Sequence, residues 1–494
     1  MMNPVAYTST MLMPFLPMFL ITLTIIVAML AIALKRSNFV VGTISVIGLN
    51  AALFALIAQM FGHFSPSMGF ISSLFIVDSF AQFNMLIVLI SALACFTLAY
   101  AYIEGYHDQK EELYLLMLIA TLGALLMVCA DHFAAFFVSL ELLSVPMYGM
   151  LAYTYARNKS LEAGLKYLVL SATASATLLM GMALMYAMTG NLSFRHVGMS
   201  VVTLFQQGIT QPILIVGAAL MVFGVAFKLS AVPFHTWTPD VYQGAPAPVA
   251  TFLGSVSKVA MLALGLRFLL GSATLMLPAI HALIVVIATL SMIVGNVLAL
   301  RQNNVKRMLS YSSIAHIGYV LAIVASAKIQ SVGYASLYMA VYAFTTIGAF
   351  GVISIMSSPY QLKGEAEHID NFRGIFWKRP ILTAVLTVML LSLAGVPLTA
   401  GFISKFFAVF ATVRAESWWL AAMIIIGSAI SLYYYLHLMI NLFRRPQEIQ
   451  KFDAGNHWGV QASGIMLMLV TAAVLFFGIF PNWLAKIVAF LSIY

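Results

Sequence analysis

Four lysines stand inside long apolar runs: Lys166, Lys228, Lys258 and Lys405. A charged group at mid-bilayer depth costs roughly 2.5–3.5 kcal/mol on insertion scales, so these four are expected to face water or a counter-charge inside a helix bundle. Arg267, at the end of its run, is counted with the loops, and no arginine lies deeper in an apolar run on the same reading. A desolvated lysine gives up its proton at accessible pH and an arginine does not, so the choice of lysine suits groups that bind and release protons. The carboxylate to set against them is Glu141, whereas Asp78 and Glu162 lie near the ends of their runs and read as interfacial. An unpaired buried carboxylate simply protonates, so Glu141 is expected to partner one of the lysines. A neutral Glu141 hydrogen-bonded to a neighbouring helix is the bland alternative. His235 and His316 adjoin Ser, Thr or Tyr hydroxyls that can hold water, and an unperturbed pKa of about 6.5 suits a relay between lysines. His437, after Tyr433-Tyr434-Tyr435, reads at least as well as a satisfied core histidine.

The elements that must position these groups are membrane helices. Of 494 residues 63% are hydrophobic and 8% charged, against about 25% charged in an average soluble domain. This excludes a soluble enzyme, a disordered chain and a nucleic-acid binder. Cys95 and Cys129 form no CxxC motif and no Cys/His cluster, so neither a disulfide framework nor an iron–sulfur site is expected. The first apolar run is too long, and too uncharged at its front, for a cleavable signal peptide. About 20 apolar residues cross the hydrocarbon core. Fourteen runs qualify: 11–34, 39–61, 75–102, 113–130, 133–153, 161–188, 213–234, 249–270, 279–300, 309–325, 332–356, 381–409, 418–443 and 462–480. The short connection at Asp131 and His132 also reads as the kink of one long helix. Loops after odd-numbered spans hold fifteen of the 24 Lys and Arg, the opposite side holds Arg195, Arg267, Lys328, Arg414 and Lys486, and the four intramembrane lysines complete the sum. Basic residues gather on the cytoplasmic side, so both termini are placed outside the cytoplasm.

Two spans carry Val-Pro close to a lysine: Lys228-Leu229-Ser230-Ala231-Val232-Pro233 in the seventh, and Val396-Pro397 eight residues before Lys405 in the twelfth. Proline removes a backbone hydrogen bond and clashes one turn back, so both helices are predicted to break there. Freed carbonyls at membrane depth are tolerated only beside protein or water, and broken helices in corresponding halves point to an ion path. Gly254-Ser255-Val256-Ser257-Lys258 of span eight also parallels Gly427-Ser428-Ala429-Ile430-Ser431 of span thirteen. The expected architecture is an all-α polytopic membrane protein of about fourteen transmembrane helices. Residues 1–110 hold spans one to three, 111–275 and 276–446 are two inverted five-helix units, and 447–494 holds the last span.

The string Phe227-Lys228-Leu229-Ser230-Ala231-Val232-Pro233-Phe234-His235-Thr236-Trp237-Thr238-Pro239-Asp240-Val241-Tyr242-Gln243-Gly244-Ala245-Pro246 resembles the signature of the antiporter-like membrane subunits of respiratory NADH:quinone oxidoreductase, a family similar to subunits of multisubunit cation/proton antiporters. Tyr311-Ser312-Ser313-Ile314-Ala315-His316-Ile317-Gly318-Tyr319 and Leu391-Ser392-Leu393-Ala394-Gly395-Val396-Pro397 match the N-type branch, and the chain lacks the lateral helix that extends the L-type. The resemblance implies a proton path of two half-channels joined at mid-membrane. It implies Glu141 as the carboxylate paired with Lys228, Lys258 as the central relay, Lys405 toward the outlet, and Lys166 and His235 near the path. It further implies a translocase subunit in a bacterial inner membrane, with K-type and M-type neighbours. NADH, FMN, iron–sulfur clusters and quinone are then expected in partner subunits, and no cofactor in this chain. A multisubunit cation/proton antiporter subunit is the alternative; four lysines against one clear carboxylate favour protons over sodium.

Overall fold

The computed structural model describes residues 12–62, 69–71, 74–104, 110–155, 157–208, 211–326, 331–357, 364–446 and 451–491. Met11, Lys328 and Lys363, used above for span limits and charge bias, lie outside them. The described chain is almost wholly helical, because within lipid a backbone must satisfy its own hydrogen bonds. The helices are α1 (Leu16–Leu34), α2 (Asn38–Met60), α3 (Ser79–Ile103), α4 (Glu111–Cys129), α5 (Phe133–Leu151), α6 (Asn158–Thr189), α7 (Phe194–Gln206), α8 (Pro212–Leu229), α9 (Trp237–Gly244), α10 (Ala247–Gly271), α11 (Pro278–Ala299), α12 (Val305–Ala325), α13 (Ser331–Ser357), α14 (Pro380–Ala394), α15 (Ala400–Arg414), α16 (Trp418–Phe443), α17 (Ala462–Ile479) and α18 (Pro481–Phe490). Among the described residues thirteen helices are long and apolar enough to cross a membrane. The remaining expected span is divided: α14 is too short to cross alone and α15 follows it after a break.

Both predicted breaks are present. α8 ends at Ser230 in the left-handed region (φ 67°), and α14 ends at Gly395 (φ 82°). The connection at Asp131 and His132 is a true interruption: α4 stops at Cys129, and the Asp131 N–H donates to the Leu74 carbonyl. Residues Phe75–Val77, taken above as the start of a helix, pair instead as an antiparallel strand with Gly69–Ile71.

α10 lies at the centre, buried along its whole length. It is tied at both ends by buried charge. Arg267, expected in a loop, lies inside α10 and donates from Nη1 and Nη2 to the two Asp78 carboxylate oxygens at 3.0 and 2.8 Å; both side chains are essentially inaccessible. Asp78 is therefore not interfacial, and it also caps α3 by accepting from the Ala81 N–H. A bidentate guanidinium–carboxylate pair satisfies both partners, which is why an arginine is tolerable there.

At the other end, the one that carries most of the basic residues, a second buried carboxylate gathers four partners. Glu365 accepts from Lys306 Nζ (2.6 Å), Tyr102 OH (2.5 Å) and the Ala247 N–H (3.0 Å), and Arg157 Nη1, which donates to Tyr102 OH, forms an ion pair with it at 3.4 Å. Burial works against its charge, but the neighbouring Lys306 and Arg157 outweigh it and hold the carboxyl below the usual carboxylate range. Lys306 also donates to the Gln243 and Ala245 carbonyls at the end of α9.

Two outcomes are expected. Asp78→Asn, which leaves Arg267 buried without its counter-charge, should destabilise the folded chain by about 3 kcal/mol, read as a lowered unfolding midpoint of the purified complex. Because the folded Glu365 is more acidic than in the unfolded chain, its contribution is complete above the unfolded carboxylate value of about 4.3 and is lost as pH falls through the lower folded value. Thermal stability should therefore drop steeply below pH 4 in the wild type, and a Glu365→Gln chain should start lower and show a flatter profile.

Candidate functional site

Lys228, Lys258 and Lys405 are all buried, and among the described residues none is neutralised by a direct ion pair. Lys228, in the last turn of α8, donates to Ser144 Oγ on α5 (2.7 Å) and Ser171 Oγ on α6 (2.6 Å). Glu141 lies one turn before Ser144 and accepts from Ser175 Oγ, one turn after Ser171. Carboxylate and ammonium thus face the same pair of helices, electrostatically linked but separated by a row of serine hydroxyls. The expected partnership is indirect. Glu141 is also only half-buried, between the exposed Val138 and Val145 on the outer face of α5. The fully enclosed acids among the described residues are Asp78 and Glu365 instead.

Lys258 is completely buried in α10 and donates to Ser313 Oγ on α12. Immediately before it, residues Leu253–Ser257 form a π-helical turn. One extra residue per turn loosens the hydrogen-bond ladder, and such turns occur mostly at functional places. Gly254 in this turn is packed so closely that an added Cβ would meet Thr346 Cγ2 at 3.0 Å and Tyr242 OH at 3.1 Å.

Lys405, in the second turn of α15, donates back across its own break to the Ala394 carbonyl (2.9 Å), one of the acceptors that the end of α14 leaves free. Gly395 is required there twice over: its φ is +82°, and a Cβ would lie 2.7 Å from Lys405 Cδ. His316 on α12 interacts electrostatically with both Lys258 and Lys405. Its Nδ1 is 2.8 Å from Tyr338 OH and its Nε2 3.5 Å from Tyr435 OH, which in turn bonds Ser312.

Each buried amine also faces a tyrosine ring: Lys228 over Tyr167 at 5.7 Å, Lys258 over Tyr242 at 5.9 Å and Lys405 over Tyr319 at 5.4 Å. A ring quadrupole stabilises a cation without offering a base that would take its proton. Hydroxyls and rings therefore lower the cost of charge on these lysines while leaving the proton free to move.

Other candidates separate from this row. Lys166 is not a desolvated amine: it pairs with Glu162 (2.6 Å) and Asp240 (2.9 Å) near the basic end, with 40% of its side chain exposed. Asp240 also accepts from Arg307 (2.7 Å), and despite partial burial these two cations hold its carboxyl below the usual range. His235 is half-buried in the break between α8 and α9. A cleft of about 250 Å³ opens beside that break, lined in part by Thr173, Thr177, Phe227, Pro233 and Thr236. His437 is exposed on α16, stacked on Tyr433. Sequence reasoning missed Ser144, Ser171, Ser175, Ser313, Tyr242, Tyr338 and Tyr435. The one-turn spacings of Glu141 with Ser144 and of Ser171 with Ser175 were the available signal.

Residues 130–431, which include all three buried lysines and both breaks, match the family described as NADH:quinone oxidoreductase/Mrp antiporter, transmembrane. Proteins named NADH-quinone oxidoreductase subunit N are similar over nearly the full chain. The one from Psychrobacter arcticus is 57% identical, covering 95% of both chains, and the one from Acinetobacter baumannii is 52% identical, covering 95% of this chain and 94% of that one. Among solved structures, a chain of respiratory complex I from Thermus thermophilus with bound aureothin superposes with a TM-score of 0.79 at 30% identity, covering 94% of this chain and 97% of that one. A chain of the Mrp complex from a Dietzia species shares the fold, with a TM-score of 0.82 at 18% identity over 98% of this chain and 97% of that one. The buried lysine row is thus carried on a fold shared with these proteins, and the chain belongs to the NADH:quinone oxidoreductase/Mrp antiporter family of membrane subunits.

Proposed function

We propose that this chain is a proton-translocating membrane-arm subunit of an NADH:quinone oxidoreductase, and that Lys228, Lys258 and Lys405 carry the protons. The observation that supports this most directly is the chemistry around the lysines. All three are buried, yet each is bonded to a hydroxyl or a carbonyl rather than to a carboxylate. A metal cation needs several oxygen ligands and no neighbouring positive charge, so the same row is poorly suited to sodium or potassium.

In this reading Glu141 responds to the adjoining subunit, since its half-exposed carboxylate is the acid that reaches the outer face of α5. A change in its position or charge alters the field at Lys228 across Ser144 and Ser171, and each pKa unit so gained or lost is worth about 1.36 kcal/mol. A proton then passes toward Lys258. Ser313 hands it on from Lys258, and His316 bridges the remaining gap to Lys405. The sites titrate as a coupled set. Redox energy arises in partner subunits, which hold NADH, FMN, iron–sulfur clusters and quinone, with K-type and M-type chains as the expected neighbours. The charge bias supports a bacterial inner-membrane protein with both termini periplasmic and the Glu365 end cytoplasmic. Residues 111–275 and 276–446 serve as the two inverted five-helix units, each contributing one break.

Lys258→Met or Lys405→Met in the assembled complex should slow coupled NADH oxidation by about tenfold, equivalent to about 1.4 kcal/mol in the transfer step. Electron transfer from NADH to a soluble artificial acceptor should be unchanged. Ser313→Ala should slow coupled turnover less, by about threefold. Undiminished membrane potential in both lysine variants would reduce the chain to a passive scaffold.

A further inference from the structure

The carboxylate of Glu365 is the most heavily bonded acid among the described residues, and the proton row does not use it. Two readings compete for it. As a proton carrier it would have to take up a proton readily. Instead it is held ionised by Lys306 and Arg157 and saturated by Tyr102 OH and the Ala247 N–H. A carboxylate with four such partners is a fixed point.

What it fixes is specific. Lys306, its closest cation, donates to the Gln243 and Ala245 carbonyls that end α9, and Glu365 itself accepts from the first N–H of α10. The pair therefore clamps the turn between α9 and α10 from both sides. α9 carries Tyr242, whose ring faces Lys258, and α10 carries Lys258 itself. The far end of α10 is held by Arg267 and Asp78. With both ends pinned, the π-turn at Leu253–Ser257 is the place where the helix departs from regular geometry, directly before Lys258.

We infer that Glu365, through Lys306, is a positioning residue for the Lys258 proton step: the pair sets the register of the α9–α10 turn and so holds Lys258 between Tyr242 and Ser313. This rests on the proposed proton-carrying role of Lys258. The charged and titratable groups facing Glu365 are Tyr102 from α3, Arg157 from the α5–α6 connection and Lys306 from α12. Glu367 from its own segment is bonded to Asn304, Gln243 and Lys159. Those facing Lys258 are Tyr242 on α9 and His316 on α12. Removing the negative charge leaves Lys306 on α12 and Arg157 in the α5–α6 connection as uncompensated buried cations beside the start of the helix that carries Lys258. Their potential opposes a proton on that amine.

The test compares Glu365→Gln, Tyr102→Phe, Asp78→Asn and Lys258→Met in the intact complex, measuring protons pumped per NADH oxidised across pH, normalised to assembled complex. Glu365→Gln should lower the pumped ratio and move the alkaline limb of its pH profile down by about half a unit. Tyr102→Phe, which removes the hydroxyl's bonds to Glu365 and Arg157 but no charge, should assemble normally and lower the ratio without moving the limb. Asp78→Asn, which leaves Arg267 uncompensated on the helix that carries Lys258, should reduce the amount of complex and move the limb in the same direction. An unmoved profile in assembled Glu365→Gln overturns the inference, and should that variant fail to assemble, a wild-type ratio in Tyr102→Phe does so. Normal pumping by Lys258→Met would instead overturn the proton-carrying role on which it rests.

Discussion

A buried ammonium group with no carboxylate beside it is expensive in a low-dielectric interior, and the architecture of this chain is organised around holding three of them. The protein separates two kinds of buried charge. Acids are placed where structure must be rigid, with Asp78 on Arg267 and Glu365 on Lys306 at opposite ends of α10. The three buried amines receive serine hydroxyls, one backbone carbonyl and tyrosine faces. A strong ion pair would trap a proton, whereas an amine with neutral partners can exchange one with water.

Each of these amines also adjoins irregular backbone. Lys228 ends α8 at a left-handed Ser230, Lys258 follows a π-turn, and Lys405 bonds a carbonyl freed at the end of α14. Irregular backbone within a membrane survives only where protein or water satisfies it. The lysines and the breaks therefore sustain each other: the break supplies polar groups to the amine, and the amine satisfies what the break exposes. Gly395 shows how closely the two are fitted, since any side chain there would displace Lys405.

Glu141 sits apart from this interior. Glu141 reaches the outer face of α5 while its bond to Ser175 keeps it on the same helix pair as Lys228. A group placed half outside the bundle can sense a neighbour, and one linked through hydroxyls can transmit that change without being consumed by a permanent ion pair. The structure thus divides a half-exposed carboxylate on the outer face from an inner row of buried amines.

The class of protein, its helical spans, the two Val-Pro breaks and the burial of Lys228, Lys258 and Lys405 were legible in the sequence. Each is a local conflict between a residue and its apolar surroundings, and such conflicts are visible along one chain. Lys166 misled because a hydropathy run does not distinguish the first turns of a helix from its middle; its escape to Glu162 and Asp240 is a matter of depth. Arg267 and Glu365 were unreadable for a different reason: their partners lie far away along the chain, 189 residues for Asp78 and 263 for Tyr102. Whether a buried charge is paired, and therefore whether it stiffens the helix or moves a proton, depends on which side chains packing brings opposite it. That was decided by the tertiary structure alone.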